Sequence, residues 1–194
     1  NIHCGMCRYC RRGDIHLCEN LRALGVDIDG GFAEMAVIPR QQCYLLPPSV
    51  PPLEGALIEP LACCVHGIDL AEVGVGDRVV VIGGGLIGQM LAQLARLRGA
   101  GYVALSDPLP RRHEMALSLG ADAAVDPQAA EPLAGTALGE GADVVIEAVG
   151  SRETAAQAVD WAAPGGTFVW FGVAPPGETV DVEPNLVFRK ELTI

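Results

Sequence analysis

The chain has 194 residues, half of them apolar, with 24 acidic against 13 basic side chains and a formal charge of −11. This is apolar material for one large domain or two small ones. The acidic balance excludes a protein that grips nucleic acid or an anionic membrane surface, because either needs a basic footprint.

The opening Asn1-Ile2-His3-Cys4 has no basic n-region, no apolar h-region and no methionine. It reads as the interior of a longer protein without an export signal, which points to the cytoplasm. Cys4, Cys7, Cys10 and Cys18 then give C-x2-C-x2-C-x7-C, four soft ligands in fifteen residues. Thiolates so close suit a tetrahedral Zn²⁺ with every site filled, the closed arrangement of a structural metal. A disulfide framework and an iron–sulfur site are the competing readings. The odd total of seven cysteines and the missing export signal disfavour disulfides. Arg8, Arg11 and Arg12 stand where they could offset the negative charge of a zinc–thiolate centre. His3 and His16 flank the lobe and read as surface residues.

Gly25 to Pro39 alternates weakly, with a turn at Gly30-Gly31 and strand-like Phe32, Met35, Val37 and Ile38. The prolines from Pro47 to Pro52 then break regular structure, and Cys43 reads as a small buried apolar residue. Ala56 to Ile68 is apolar except for Glu59 and His66. A carboxylate in such surroundings is costly unless paired or bound to a cation, so Glu59 is a functional candidate. The alternative is a helix-start carboxylate just before Pro60. His66 reads as a core or interface histidine, and the adjacent Cys63 and Cys64 point to different faces of a helix.

Val79 to Ile82 reads as a strand buried on both faces. Gly83, Gly85 and Gly88 follow as G-x-G-x-x-G, and Leu86, Met90, Leu94 and Leu97 line one face of a helix that Gly99 closes. The uncharged run from Val79 to Ala95 is 17 residues long, short of the roughly 20 that a membrane span requires. A glycine turn from strand into helix leaves backbone N–H groups, including those of Leu86 and Ile87, at the positive end of the helix dipole. A pyrophosphate can sit there. A glycine-rich turn without a ligand is the plainer alternative.

The next strand, Tyr102 to Leu105, ends at Ser106-Asp107, where an acid can bond an adenosine ribose. Asp107 favours NAD because it would repel the 2′-phosphate of NADP, although Arg111 or Arg112 could accept that phosphate. Further elements are a helix from Arg111 to Leu119 capped by Gly120, a strand from Ala123 to Val125, and a helix start at Asp126-Pro127. Then come a strand from Asp143 to Glu147, a helix capped by Ser151 that runs through Ala162, and a strand from Thr167 to Phe171. Arg189-Lys190-Glu191-Leu192 reads as a solvated charge cluster and Leu192-Thr193-Ile194 as a strand. Alternating strands and helices predict an α/β fold with a doubly wound parallel sheet. Glu147, at a strand's carboxyl end, could meet a ligand or cap a turn.

The cysteine lobe, Gly31-Phe32-Ala33-Glu34, Glu59-Pro60-Leu61-Ala62 and the Gly83–Gly88 turn together resemble the zinc-dependent medium-chain alcohol and polyol dehydrogenases. The Glu-Pro-Leu-Ala form is similar to the sorbitol and threonine dehydrogenase branch. The resemblance implies part of a GroES-like β-rich catalytic domain over residues 1–68 and an NAD-binding Rossmann domain over 69–194, incomplete at its end. It implies that Cys4, Cys7, Cys10 and Cys18 hold structural zinc, and that Glu59 is a catalytic-zinc ligand or bonds the zinc's water. Val149 would line the adenine side, and Phe171, Gly172 and Val173 would approach the nicotinamide. The implied activity is hydride transfer between NAD and a secondary alcohol or polyol, in a homo-oligomer.

Members of that family carry a catalytic cysteine and a Gly-His-Glu segment upstream of the lobe, and this chain starts after both. His3, His16, His66 and His113 lie in no comparable motif, so an incomplete catalytic metal site is expected, and with it no activity from this stretch alone. Two rival readings are a non-catalytic NAD-binding or assembly module that keeps the zinc lobe for subunit contacts, and a zinc-free quinone reductase of the same superfamily.

Overall fold

Five apolar runs, each too short to bury itself, solve the problem together by pairing in parallel. They are β1 (Arg78–Ile82), β2 (Tyr102–Ser106), β3 (Ala123–Val125), β4 (Ala142–Glu147) and β5 (Ala162–Trp170), in the order β3-β2-β1-β4-β5. This computed structural model describes residues 1–194. Val79, Val80 and Val81 are wholly buried because β1 is central, with Val80 level with Ala104 on one side and Val145 on the other. After β3 the chain returns to the far side of β1, so the crevice between β1 and β4 opens at their carboxyl ends. Ligands of doubly wound sheets collect at that switch point.

Seven α-helices accompany the sheet, α1 (Arg8–Arg12), α2 (Pro52–Gly55), α3 (Ile58–Ala71), α4 (Leu86–Arg98), α5 (Pro110–Ser118), α6 (Arg152–Trp161) and α7 (Pro184–Lys190), with short 3-10 turns at Ile15–Leu17 and Arg40–Gln42. One face of the sheet packs Val79, Val81 and Leu105 with Ile68 of α3 and Leu91 of α4. The other packs Val80, Ile82 and Phe168 with Ala158 and Val159 of α6. Helix α4 ends as expected at Gly99, whose φ of +107° is left-handed. Ser151 caps α6 in a capping box with Thr154.

The chain divides into two compact units, Asn1–Gly55 and Ala56–Ile194. Helix α3, which the expected division after residue 68 assigns mostly to the first domain, buries Cys64, Ile68 and Ala71 in the cluster on the sheet. In the first unit the segment 29–39 forms no strand, since nothing in the unit offers it a ladder. Pairing there is limited to single bridges, Ile2 with Arg22 and Leu24 with Ile28. Cys43 is exposed rather than buried.

In the second unit, Asp126-Pro127 starts a turn and not a helix. Asp126 Oδ1 accepts the Gln128 N–H at 2.9 Å, and Pro132 with the left-handed Gly135 and Gly141 keeps the stretch irregular. Strand β5 begins at Ala162, five residues before the expected start, with a register shift opposite Ala142 and Val144. Leu192–Ile194 contributes one bridge, Thr193 to Thr167. Lys190 is more than a solvated charge, since its Nζ donates to the carbonyls of Asp160 and Ala162, the latter at 2.8 Å. No helix is long and apolar enough to cross a membrane.

Candidate functional site

In the first unit, the short helix α1 carries two of the four cysteine sulfurs close together: Cys7 is its N-cap and Cys10 lies one turn on. With Cys4 and Cys18, their sulfurs all lie within 4.8 Å of one another. Cys7 and Cys10 are 3.5 Å apart and Cys4 and Cys10 4.0 Å. A tetrahedron of Zn–S bonds of about 2.3 Å has edges near ~3.8 Å, so the four sulfurs fit a zinc ion. No other group of three or more such side chains exists in the chain.

Backbone N–H groups complete the sulfur shell: Cys7 donates to Cys4 Sγ at 3.4 Å, Cys10 to Cys7 Sγ at 3.5 Å, and Cys4 and Asn20 to Cys18 Sγ at 3.2 and 3.4 Å. N–H groups at Met6 and Cys7 draw the Cys4 thiol down to about 6, ready to ligate as thiolate. Withdrawal from water, followed by the neighbouring Cys7 sulfur, pushes Cys10 up to about 12. The expected arginine shield is different in detail. Arg8 pairs with Glu19 and Arg12 with Asp14, and both guanidiniums lie over the Tyr9 ring. The sulfur charge is met by amides instead. His16 is exposed and His3 half-buried, outside the cluster.

In the second unit, the three glycines of the β1–α4 turn are small for three different reasons. Gly83 has φ +103° and a Cβ there would lie 2.8 Å from Val149 Cγ2; a Cβ on Gly88 would lie 1.7 Å from the Gly83 carbonyl oxygen. These two let the turn and the helix–strand contact form. Gly85, the N-cap of α4, has an ordinary φ of −68° and its Cβ would meet nothing within 4 Å. Neither strain nor crowding calls for glycine at position 85. What its missing side chain leaves open is the helix N-terminus itself, where the amides of Gly85, Leu86 and Ile87 start α4.

Asp107, directly after β2, is 2% exposed. Its Oδ2 accepts the Gly84 N–H and an Arg112 N–H, both at 2.8 Å, and its Oδ1 accepts the Leu109 N–H at 2.9 Å. Burial raises its pKa, but the amides of Gly84 and Leu109 and the Arg112 guanidinium outweigh that and hold the carboxyl below the ordinary value. A carboxylate has about four acceptor sites, so one remains for a ribose hydroxyl. A cleft of about 460 Å³ opens beside it, lined by Gly83, Gly85, Ser106, Asp107, Val149 and Gln157 among others. Ser106 Oγ and Gln157 Oε1 are buried there without a partner.

Val149 is half exposed on that rim, and Phe171, Gly172 and Val173 follow β5. A Cβ on Gly172 would lie 2.2 Å from the Gly150 nitrogen, so the loops after β4 and β5 touch backbone to backbone. The Phe171 ring covers Gly67 of α3. Glu147, 1% exposed, resolves as a turn cap: its Oε1 accepts from the Val149 and Gly150 N–H groups and the Thr154 hydroxyl at 2.7–2.8 Å. Glu59 lies exposed on the first turn of α3, with the Cys63 thiol donating to Oε1 at 3.6 Å. It is therefore not the desolvated carboxylate that its apolar neighbours suggested, and Glu59 and Cys63 alone do not make a metal centre. His66 is exposed on the same helix.

The residues that sequence reasoning missed are Gln89, Gln157 and Ser106. Glutamine inside a helical period carries no mark of burial, and a serine at a strand end reads as a turn residue. Only the packing of helix against sheet distinguishes them.

Two family profiles match the chain: "Alcohol dehydrogenase GroES-like domain" over residues 1–48 and "Zinc-binding dehydrogenase" over residues 87–194. Among curated relatives, the L-threonine 3-dehydrogenase of Pyrococcus horikoshii is 36% identical across 100% of this chain and 56% of its own length. The D-altritol 5-dehydrogenase of Agrobacterium fabrum is 35% identical across 100% of this chain and 57% of its own. The chain thus spans about half the length of the curated relatives it matches. Among solved structures, one described as a zinc-binding dehydrogenase from Sinorhizobium meliloti 1021 bound to NADP is 44% identical. It superposes with a TM-score of 0.93 over 99% of this chain and 58% of that one.

Proposed function

The chain belongs to the zinc-binding dehydrogenase family, and from that membership we propose that it is the zinc-lobe and cofactor-binding part of an oxidoreductase that transfers a hydride between NAD and a secondary alcohol or polyol. The observation that carries this reading is Gly85, a glycine that neither its backbone angle nor its surroundings require, at the amide-lined start of α4. Its open space suits the pyrophosphate of a dinucleotide. Asp107 accepts from the adenosine ribose, Val149 flanks the adenine, and Phe171, Gly172 and Val173 lie along the nicotinamide path. When bound, the nicotinamide supplies the hydride acceptor or donor. The chain's own residues hold and orient it.

Cys4, Cys7, Cys10 and Cys18 hold zinc in a closed, structural role. Glu59 is assigned to the reacting end on the family pattern. With only Cys63 beside it, no chemical step is attributed to a metal at that position. A homo-oligomer in the cytoplasm completes the reading.

NADP is the second reading of the cofactor. It is favoured by the NADP of the Sinorhizobium neighbour and by the Arg112 guanidinium beside Asp107. Calorimetric titration of the whole protein with NAD and with NADP separates the two. NAD binds more tightly in the first, and Asp107→Gly narrows or reverses the preference. Turnover is assayed over a panel of secondary alcohols and polyols. Binding of NAD with no turnover on any of them would make this a cofactor-binding module instead of an enzyme.

A further inference from the structure

Gln89 is 5% exposed on α4, immediately after the third glycine of the turn. Its Nε2 donates to the Gly84 carbonyl at 3.2 Å and to the Arg112 carbonyl at 3.0 Å, while its Oε1 is buried without a partner. The Gly84 N–H donates to Asp107 Oδ2 at 2.8 Å. Both polar groups of Gly84 are therefore pinned, the N–H by Asp107 and the C=O by Gln89.

The chain has no cis peptide bond, and across a trans peptide the C=O and the following N–H point in opposite directions. Holding the Gly84 carbonyl against Gln89 turns the Gly85 N–H the other way. That N–H makes no hydrogen bond within the chain. Without the tether, a peptide flanked by two glycines would sample several orientations, and an arriving anion would bear the cost of ordering it.

We propose that Gln89 is a positioning residue for the cofactor: by fixing the Gly84–Gly85 peptide plane it presets the Gly85 N–H as a donor to the pyrophosphate. The inference rests on the dinucleotide reading above. It adds a buried side chain, contacting no cofactor atom, that sets how well the turn receives the anion.

The test compares ADP-ribose, which carries the pyrophosphate, with adenosine, which does not, by calorimetric titration of the whole protein. Gln89→Met keeps the side chain's length and removes both donors. ADP-ribose then binds about tenfold more weakly, while the adenosine Kd stays within about twofold, as expected for a loss confined to one hydrogen-bonded peptide. Gln89→Glu, which sets an oxygen against two carbonyls, is at least as weak for ADP-ribose.

Unchanged ADP-ribose affinity in Gln89→Met overturns the inference. So does an equal loss for both ligands, which general loosening of the fold would give. Should the variants not fold, amide NMR of the unaltered protein decides: the Gly85 signal moves with ADP-ribose and not with adenosine, and an unmoved Gly85 overturns it. An unaltered protein that binds no ADP-ribose would remove the dinucleotide reading, and this inference with it.

Discussion

Of the 55 residues in the first unit only Cys18 is buried, whereas the second unit buries a cluster on each face of its sheet. Phe32, Met35, Val37, Tyr44 and Leu45 of the first unit are each more than three-quarters exposed, so apolar burial within that unit contributes little to its order. Its fixed point is the set of four sulfurs. In the second unit the fixed points are valines, and the polar machinery of the turn is laid over them. One chain thus has two local sources of order, a cluster of four sulfurs where the core is thin and hydrophobic burial where it is thick.

The largest effect expected from this contrast is on metal removal. A chelator, or Cys10→Ser, should take away close to one zinc per chain and on the order of 10 kcal/mol of the first unit's order. Amide exchange would then rise over residues 1–22 while β1, β2 and β4 stay protected. Equal loss of protection in both units would break the comparison.

Next comes a pair of glycines within the second unit. Gly88→Ala drives a methyl into the Gly83 carbonyl oxygen and should cost about 3 kcal/mol or more by denaturant unfolding. Gly85→Ala should leave stability within about 0.5 kcal/mol. It should nonetheless weaken NAD about tenfold or more, since the methyl occupies the space proposed for pyrophosphate. If Gly85→Ala bound NAD normally, the open helix start would have no ligand to explain it.

A smaller effect concerns pH. The Asp107 carboxyl is lower in the folded chain than its ordinary value. Its contribution is therefore complete above the unfolded value near ~4 and is lost as the pH falls through the lower folded value. The stability of the second unit, followed by denaturant unfolding from neutral pH downward, should fall below about pH 4 as this group takes up its proton. Asp107→Asn should flatten part of that slope. Asp143, held down first by its hydrogen bond from Arg78, accounts for another part and should survive the change.

The smallest effect is Arg8→Ala. It removes an exposed ion pair with Glu19 and should shift stability by no more than about 0.5 kcal/mol with zinc occupancy unchanged. A large loss of zinc would restore the arginines to the charge-shielding role that the amides hold here.

Much of the second unit was legible along the chain. The run Val79–Ile82 announces a central strand by being apolar on both faces, and the glycine spacing of Gly83, Gly85 and Gly88 announces the turn. Ser151 and Gly99 mark the ends of α6 and α4 through local chemistry that needs no distant partner. The four-sulfur cluster was legible for the same reason, since its cysteines lie within fifteen residues. Where the reading failed, the deciding partner was remote or missing. The stretch from Phe32 to Ile38 has strand-like residues and no strand beside it, and Asp126-Pro127 has a helix-start signature followed by glycines that cannot sustain a helix. Glu59 looked desolvated from its sequence neighbours and is exposed, because Leu57, Ile58 and Leu61 around it are themselves exposed.

Sequence alone determined the elements and their parallel arrangement, the four-sulfur cluster and the glycine turn from β1 into α4, because each depends on periodicity or on residues a few positions apart. Tertiary structure decided that Gly85 is open while Gly88 is crowded, that Asp107 is held by three donors before any ribose arrives, and that Gln89 is buried with its amide on the glycine turn. Those facts depend on which backbone atoms from β1, β2, α4 and α5 come within hydrogen-bonding distance. The bonds that join these segments, Gly84 to Asp107 and Gln89 to Arg112, each span 23 residues and leave no periodic trace in the chain.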